Sequence, residues 1–163
     1  MLVCIRAGSV TDLPTLRELF RRASLSNDED RDALLAHPDA LELADGAIVE
    51  GRTRVAVGQH ERILGFITTR SLGDRVVEIE DLFVDPDWMR NGVASQLVED
   101  LVATSRRSGV RRIEVVANPH ANAFYRHVGF TYSHDAETQF GPAPRMFVDL
   151  ALSPEADAGD PLA

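Results

Sequence analysis

The chain has 163 residues, of which 44% are hydrophobic and 26% are charged, values typical of a single soluble globular domain. Its net charge of −9 argues against binding nucleic acid through bulk charge, which requires a basic surface. The absence of lysine excludes Schiff-base chemistry, the single cysteine, Cys4, excludes an internal disulfide, and no apolar run is long enough to span a membrane. We therefore expect a cytoplasmic protein.

The N-terminal third of the sequence predicts one strand followed by two helices. Val3–Arg6 is typical of a short strand, in which we expect Cys4 to be an inert core thiol. Thr11-Asp12 is a helix start, and apolar residues at helical spacing follow it. A second short helix is predicted from Asp28 to Ala36, and the polar sequence around it (residues 24–38, the flap) indicates a mobile segment.

The middle of the chain predicts three strands on short connections and then a long helix. The strands are 48–57, 63–69 and 75–84, and neighbours of this kind form an antiparallel meander. From about Gly92 to Arg107, apolar residues recur at helical spacing and form a broad stripe. This stripe predicts an amphipathic helix.

The last third predicts a strand, a helix and two closing strands. Asparagine followed by proline is a strong helix start, because the side chain caps the helix and proline suits its first position. The elements are strand 111–117, a helix from Asn118-Pro119 to Gly129, and strands 130–138 and 145–150 joined through residues 140–144. Such an order, with only one or two strand–helix–strand crossovers, indicates an α/β mixture.

The end of the chain differs in composition from the rest. Residues 152–163 are rich in proline, alanine and aspartate, which predicts a disordered tail. Residues 2–151 are then the folded domain.

The segment before the long predicted helix has the pattern of an anion-binding turn. A strand ends at Val84, a short loop crosses, and the helix begins at Gly92 with a small residue, Ala94, after it. Backbone N–H groups at such a junction converge on an anion, and the helix dipole favours negative charge there. A larger side chain would hold a phosphate away from the backbone. Taken alone, the same junction is equally typical of a tight turn with close helix packing.

A second motif makes the anion-binding interpretation more specific. The pattern Asn-x-x-Ala-x-x-x-Tyr-x-x-x-Gly-Phe is met at Asn118, Ala121, Tyr125, Gly129 and Phe130. Together the two segments resemble the GNAT superfamily of N-acetyltransferases, whose loop pattern is Arg/Gln-x-x-Gly-x-Gly/Ala. The chain matches that loop at Gly92 and Ala94. It departs from the pattern at Met89, which stands in the Arg/Gln place, with Arg90 beside it.

The resemblance implies the GNAT fold, an α/β (α+β) architecture with a central, mostly antiparallel mixed sheet of about seven strands flanked by four helices. It implies acetyl-CoA as the co-substrate and no metal. The pyrophosphate would lie on the loop amides, and the pantetheine beside the strand that precedes the loop. The residues so assigned are Leu82, Phe83, Val84, Met89, Arg90, Asn91, Gly92, Val93, Ala94, Ser95, Asn118, Phe124 and Tyr125.

The resemblance also assigns a general acid. Tyr125 occupies the family's place for the group that protonates the leaving thiolate. Its ordinary pKa of about 10 lies above that of a thiol, so the phenol is protonated and ready to donate. Without the motif, a tyrosine that packs on the sheet from an amphipathic helix would be the simpler interpretation.

The candidates for the general base are two glutamates. Glu78 and Glu80 lie at period two on one face of the strand 75–84, with Asp81 expected on the other face. Glu78 falls where some protein acetyltransferases of the family have a glutamate base, and Glu80 is nearer the point where this strand separates from 111–117. A solvated acidic strand face explains both residues equally well.

The resemblance predicts an acyltransferase, specifically an acetyl-CoA-dependent N-acetyltransferase in which a primary amine attacks the thioester directly in a ternary complex. The acceptor is a small-molecule or peptide amine, held between the flap and the loop near 134–144, and the acidic flap suits a cationic amine. The alternative is a non-catalytic acyl-CoA-binding or sensor domain. We expect no nucleic-acid or membrane partner, and we keep a homodimer as a candidate assembly.

Overall fold

The computed structural model describes residues 2–151, so the predicted tail lies outside the described residues. Within them, seven strands and five α-helices follow one another. The strands are β1 (Cys4–Ala7), β2 (Thr53–Val57), β3 (Ile63–Gly73), β4 (Val76–Val84), β5 (Arg112–Val116), β6 (Thr131–Thr138) and β7 (Gly141–Asp149). The helices are α1 (Leu13–Leu25), α2 (Asp28–Ala36), α3 (Gly46–Val49), α4 (Val93–Arg107) and α5 (Asn122–His127).

The strands form one mixed sheet in the order β1-β2-β3-β4-β5-β7-β6. β4 and β5 run parallel, whereas β1–β2, β2–β3, β5–β7 and β6–β7 are antiparallel. The predicted α/β class with a mostly antiparallel, seven-stranded sheet is therefore confirmed. The fifth helix, beyond the four predicted, is the single turn α3.

The described chain divides into two compact units. The first contains the residues up to Thr69 together with Asp81–Leu97, and the second contains Arg70–Glu80 together with the residues from Val98 onward.

The core of the first unit forms on one face of α1. This helix buries Leu13, Leu16, Leu19 and Phe20, whose spacing places them along one stripe. The residues that pack in the same cluster are Ile48, Val55, Val57, Ile63 and Phe66, with Phe83 partly buried against them. Fully burying such a side chain contributes roughly 1.5–3 kcal/mol, so this stripe is what holds α1 in place.

A glycine in β3 lets the start of α4 approach the sheet closely. A Cβ on Gly65 would lie 2.8 Å from the carbonyl oxygen of Phe83 and 3.2 Å from a methyl carbon of Val93. Any larger residue would have to push against the backbone of β4. Close packing at this point sets the position of the first turn of α4, which matters for the candidate site.

In the second unit, β5 pairs with a neighbouring strand on each of its edges. It pairs in parallel with the first half of β4, from Val76 opposite Arg112 to Ile79 opposite Val115. On its other edge β5 pairs with β7, which in turn pairs with β6. Ile113 and Val115 are buried while the intervening Glu114 is partly exposed, as the alternation of a strand requires.

The predicted strand 48–57 is wrong in its first half. Residues 46–49 form the helical turn α3, in which the Val49 N–H donates to the Asp45 carbonyl (3.0 Å). Gly51 then takes a positive φ of 74° and the strand begins only at Thr53. Ile48 is buried against α1, so tertiary packing recruits a residue that looked like part of a strand.

The predicted five-residue connection 140–144 is also wrong, since β7 begins at Gly141 and the last two strands form a tight hairpin. β7 contains Pro142 and Pro144, which cannot donate to a neighbouring strand. The carbonyl of Pro144 still accepts from the Ala117 N–H (2.8 Å), just past the end of β5.

Two further expectations are corrected. Cys4 is exposed rather than part of the core. The predicted helix from Asn118-Pro119 to Gly129 is a 3₁₀ turn, Pro119–Ala121, followed by the shorter helix α5. The predicted helix Asp28–Ala36 is confirmed at both ends, and the long helix begins at Val93, one residue later than predicted.

Candidate functional site

The β4–α4 loop (Asp85–Gly92) has an unusual backbone. It starts with a 3₁₀ turn, Pro86–Trp88, and ends with two residues in the left-handed region, Arg90 (φ 63°) and Gly92 (φ 80°). Residues with side chains rarely adopt such angles, so only glycine takes this conformation without strain. Left-handed residues just ahead of a helix can turn backbone amides toward one point, which is how an anion-binding concavity forms.

The first turn of α4 adds hydrogen-bond donors to this concavity. The Gln96 N–H donates to the Gly92 carbonyl (3.0 Å), which leaves the amides of Val93, Ala94 and Ser95 ahead of the first helical hydrogen bond. A Cβ placed on Gly92 would meet no atom within 4 Å, so the space in front of the loop is open. This end of α4 can accept an anionic group such as a pyrophosphate.

The strand leading into the loop loses its neighbour on one side. The register of β4 with β5 ends at Ile79 opposite Val115, although β4 itself continues to Val84. Leu82–Val84 are only partly buried. The pairing of β4 with β5 therefore ends five residues before β4 does, and the separation of the two strands that would admit the pantetheine stays a prediction.

Tyr125 lies on α5 with its ring enclosed and its hydroxyl open. The residue is 5% exposed, and its ring meets those of Phe124 and Phe130 edge-on, with centroids 5.1 and 5.3 Å away. Within residues 2–151 no side-chain polar atom is both fully enclosed and without a partner, so the hydroxyl reaches solvent or a partner. Burial raises the pKa of the Tyr125 phenol, which therefore stays protonated at neutral pH.

Glu78 is not on a solvated face, as one interpretation of the sequence had it. It is 8% exposed, and its two oxygens accept from Arg70 (3.1 Å) and Arg145 (3.1 Å). Arg145 also donates to Glu114 (2.9 Å), which lies directly opposite Glu78 in the β4–β5 register. Arg145 thus neutralises two carboxylates that would otherwise repel each other. To accept a proton, Glu78 would have to break an ion pair.

The carboxylates of β4 contact side chains of β3. Thr68 donates to Asp81, and Arg70 contacts both Glu78 (2.9 Å) and Glu80 (3.7 Å). One arginine thus lies beside both glutamates of the predicted pair. The shared face of Glu78 and Glu80, with Asp81 on the other face, stays a prediction.

The remaining predicted residues fall into the two units separately. Leu82–Val84 and Met89–Ser95 are consecutive parts of the first unit, and Met89, Arg90 and Asn91 are exposed at its surface. Asn118 and Phe124 belong to the second unit, as do Tyr125, Glu78 and Glu80. Asn118 caps its 3₁₀ turn by accepting from the His120 N–H (2.9 Å).

Sequence reasoning missed the charged partners that hold the site elements. Asp85, at the start of the β4–α4 loop, is 4% exposed and accepts from Arg22 and Arg62. These arginines lie 63 and 23 residues away in the chain, so no local pattern links them to Asp85. The same holds for Arg145 and Glu78, which are 67 residues apart. Of these contacts, the sequence shows only the Asp85-Pro86 pair, which marks the end of the strand.

Neither metal nor membrane chemistry is indicated by the part of the chain that the structure describes. In residues 2–151 there is no group of three or more His, Cys, Asp or Glu side chains that could hold a metal ion. None of the described helices has the length and apolar character needed to cross a membrane.

Comparison with known proteins places this architecture in a class. The sequence profile of the acetyltransferase (GNAT) family matches residues 13–130, most of the chain. The chain belongs to this family, which confirms the resemblance and the acyltransferase class predicted from the two motifs.

Individual relatives agree with that assignment. The chain is 29% identical over 135 residues to serotonin N-acetyltransferase 2, chloroplastic, of Oryza sativa subsp. japonica, and the match covers 80% of this chain but 62% of that relative. The chain thus spans less than two thirds of the relative's length.

Two solved structures share the fold. The PaiA N-acetyltransferase from Thermoplasma acidophilum, solved in complex with coenzyme A, has 18% identity and a TM-score of 0.73 over 91% of this chain and 99% of that one. The ribosomal-protein-S18-alanine N-acetyltransferase from Escherichia coli has 20% identity and a TM-score of 0.70 over 94% of this chain and 97% of that one. The likeness shows that the GNAT fold predicted from sequence is correct.

Proposed function

We propose that this protein transfers the acetyl group of acetyl-CoA directly to a primary amine within a ternary complex. The observation that carries the proposal is the donor-rich start of α4 behind the left-handed residues Arg90 and Gly92, because it suits the pyrophosphate of a coenzyme A thioester. Family membership supports the same reaction class. A similarly folded relative, the PaiA enzyme, was solved with coenzyme A bound.

The residues of the first unit fit such a ligand. The amides of Met89–Ser95 hold the pyrophosphate, with the open space at Gly92 in front of them and the charge of Arg90 beside them. The pantetheine lies along Leu82–Val84, whose main-chain N–H groups polarise the carbonyl to be attacked. Asn118 and Phe124 complete the cofactor contacts. Acetyl-CoA supplies the acetyl group activated as a thioester.

Tyr125 is the proposed general acid. Its raised pKa keeps the proton on the phenol at neutral pH, whereas a thiol has an ordinary pKa of about 8.5. The same shift makes Tyr125 a weaker acid than a free phenol, so its proton moves to the sulfur only as negative charge develops there while the carbon–sulfur bond breaks. The ring that carries the hydroxyl is held edge-on against Phe124 and Phe130.

Glu80 is the proposed base, directly or through a water molecule. It is more exposed than Glu78 and lies one residue past the last β4–β5 pair, Ile79 opposite Val115. A primary amine is mostly protonated at neutral pH, so removal of a proton before or during attack is required.

The acceptor class is a primary amine on a small molecule or a peptide. The relatives named above act on serotonin and on the alanine of a ribosomal protein, both of which carry a primary amine. The first turn of α2 carries Asp28, Glu29 and Asp30, and no residue of this helix is buried. This acidic, exposed flap favours a cationic acceptor. The cytoplasmic location and the homodimer stay predictions.

A panel of amines with acetyl-CoA tests the proposal. We expect loss of the thioester's ultraviolet absorbance with at least one primary amine, and none with matched tertiary amines. A protein that binds acetyl-CoA but turns over no amine in the panel would instead be the acyl-CoA sensor.

A further inference from the structure

We infer that Asp85 is a positioning residue for cofactor binding: its buried carboxylate joins three elements and holds the β4–α4 loop in its anion-binding conformation. The inference rests on the proposed function, because it concerns how well the loop presents its amides to acetyl-CoA. The side-chain hydrogen bonds of Asp85 go to Arg22, Arg62 and the Asp87 N–H, and so to neither the amides of Met89–Ser95 nor Tyr125.

The backbone of Asp85 and one of its side-chain oxygens define the turn. Its N–H donates to the Leu64 carbonyl and its carbonyl accepts from the Trp88 N–H, both at 2.8 Å. Oδ1 accepts from the Asp87 N–H at 2.9 Å. One residue therefore ties the end of β4 to β3 and closes the 3₁₀ turn from both sides.

The carboxylate also binds two arginines from other elements. Arg22, in the last turns of α1, donates to both oxygens at 3.2 Å, and Arg62, just before β3, approaches Oδ2 at 3.5 Å. The Arg62 guanidinium lies 5.7 Å from the centre of the Trp88 ring, in the same turn. Both arginines also approach the exposed Asp87 carboxylate, Arg22 at 3.4 Å and Arg62 at 3.8 Å. Asp85 is the buried partner, 4% exposed, so removing its charge leaves the arginines with only these longer contacts.

A charge is not needed merely to form this turn. Asn118 closes an equivalent 3₁₀ turn with the same side-chain bond at 2.9 Å and carries no charge. The carboxylate of Asp85 must therefore serve the arginine contacts. These matter because the loop continues into Arg90, a non-glycine residue held at φ 63°. Such a residue keeps an unfavourable conformation only where its surroundings enforce it.

The expected defect is in binding rather than in chemistry. With Asp85→Asn, the loop samples other conformations, so the dissociation constant and the KM for acetyl-CoA rise by about tenfold. The value of kcat at saturating acetyl-CoA stays near that of the wild type, since Tyr125 and Glu80 are untouched. Arg22→Gln should act in the same direction, and Arg22→Lys should recover part of the affinity because it keeps the charge.

A matched control is present at the other end of α1. Asp12 is likewise mostly buried, accepts two bonds from Arg6 (2.8 and 3.0 Å) and accepts from the Ser9 N–H (2.8 Å). It is not connected to the β4–α4 loop by any of these bonds. Asp12→Asn removes a similar carboxylate–arginine contact and should lower stability without changing the affinity for acetyl-CoA.

The experiment measures acetyl-CoA binding by calorimetry, and KM and kcat by steady-state kinetics, for these variants well below their melting temperatures. Weaker binding in Asp85→Asn and Arg22→Gln but not in Asp12→Asn supports the inference. If the double variant Asp85→Asn with Arg22→Gln binds acetyl-CoA no more weakly than Asp85→Asn alone, Arg22 acts through Asp85.

Unchanged affinity in folded Asp85→Asn, or an equal loss in Asp12→Asn, overturns the inference. If Asp85→Asn does not fold, Arg22→Gln and Arg62→Gln decide the matter, since both arginines are about half exposed. Failure of the wild type to bind acetyl-CoA would overturn the proposed function instead, which keeps the two failures distinct.

Discussion

The parallel strands β4 and β5 are followed by the same type of turn, but the chain continues differently after each turn. After β4, Asp85-Pro86 opens a 3₁₀ turn, and after β5, Asn118-Pro119 opens another. In both, the side chain of the first residue accepts from the N–H two residues later at 2.9 Å, and proline fills the first position. Local sequence chemistry therefore produced the same turn twice.

The residues that come after each turn set its proposed role. After Trp88 the chain takes four more residues, two of them left-handed, before α4 begins and presents free amides. After Ala121 the chain enters α5 at once, and the helix places Tyr125 one turn later. The strained loop before α4 suits the binding of an anion. The direct start of α5 suits the precise placement of one side chain. The same start thus leads into the proposed binding loop in one case and to the proposed proton donor in the other.

The largest expected effect breaks the anion-binding turn. Acetyl-CoA should raise the melting temperature of the wild type by mass action, and Gly92→Glu should abolish the shift, because its carboxylate projects into the open space before the amides. Gly109→Glu is the control. Gly109 has a similar φ of 79° and the same open surroundings at the other end of α4, so it carries the same backbone strain. A full shift in folded Gly92→Glu would place the cofactor elsewhere.

The next largest effect is expected at Tyr125, which follows the turn after β5. Tyr125→Phe should lower kcat by roughly 10²-fold with little change in the affinity for acetyl-CoA, because it removes the proton donor and keeps the ring packing. Tyr132→Phe, which removes an exposed hydroxyl bound to Asp135, should leave kcat unchanged. Wild-type kcat in Tyr125→Phe at saturating substrates would reduce Tyr125 to a packing residue.

A third experiment sharpens the contrast between the two glutamates of β4. Glu80→Gln should lower kcat/KM by up to roughly 10²-fold and remove the rising acid limb of its pH profile. Glu78→Gln should mainly lower stability, because it breaks contacts with Arg70 and Arg145. The profiles are measured with two acceptors of different basicity. A limb that follows the acceptor in wild type and both variants would show that neither glutamate is the base.

The smallest expected effects are on stability, when the charge of the first residue of each turn is changed. Asn118→Asp should be nearly neutral at pH 7, since aspartate and asparagine cap equally well. Asp85→Asn should lower the free energy of unfolding by about 1–2 kcal/mol, because the arginine contacts weaken. Urea denaturation of the wild type and of each variant measures both differences.

The stability difference between the wild type and Asp85→Asn should depend on pH in a definite direction. Burial alone would raise the pKa of Asp85, but the Asp87 N–H and the guanidinium groups of Arg22 and Arg62 hold it below its usual value. A carboxyl of this kind stabilises the fold above its unfolded pKa of about 3.9, and the contribution is lost as the pH falls through the folded pKa. The gap between wild type and Asp85→Asn should therefore narrow below about pH 4, and a gap independent of pH would contradict this.

Predictions from sequence succeeded where the signal was local. The helix Asp28–Ala36 and the long helix to Arg107 were found because capping residues and apolar periodicity act over a few residues. They failed where packing decided between two local options. Ile48 reads as a strand residue, but burial against α1 places it in a helical turn.

For the site, the sequence by itself determined the candidates: the glycine-containing loop and the Asn-Pro helix start are readable from spacing, and the resemblance to the family singles out Tyr125. Only the tertiary structure decided the surroundings of those residues. It enclosed the ring of Tyr125 and so raised the pKa of the phenol, and it paired Glu78 with Arg145 from 67 residues away. The reason is physical: backbone turns depend on neighbours in the chain, whereas protonation and charge pairing depend on neighbours in space.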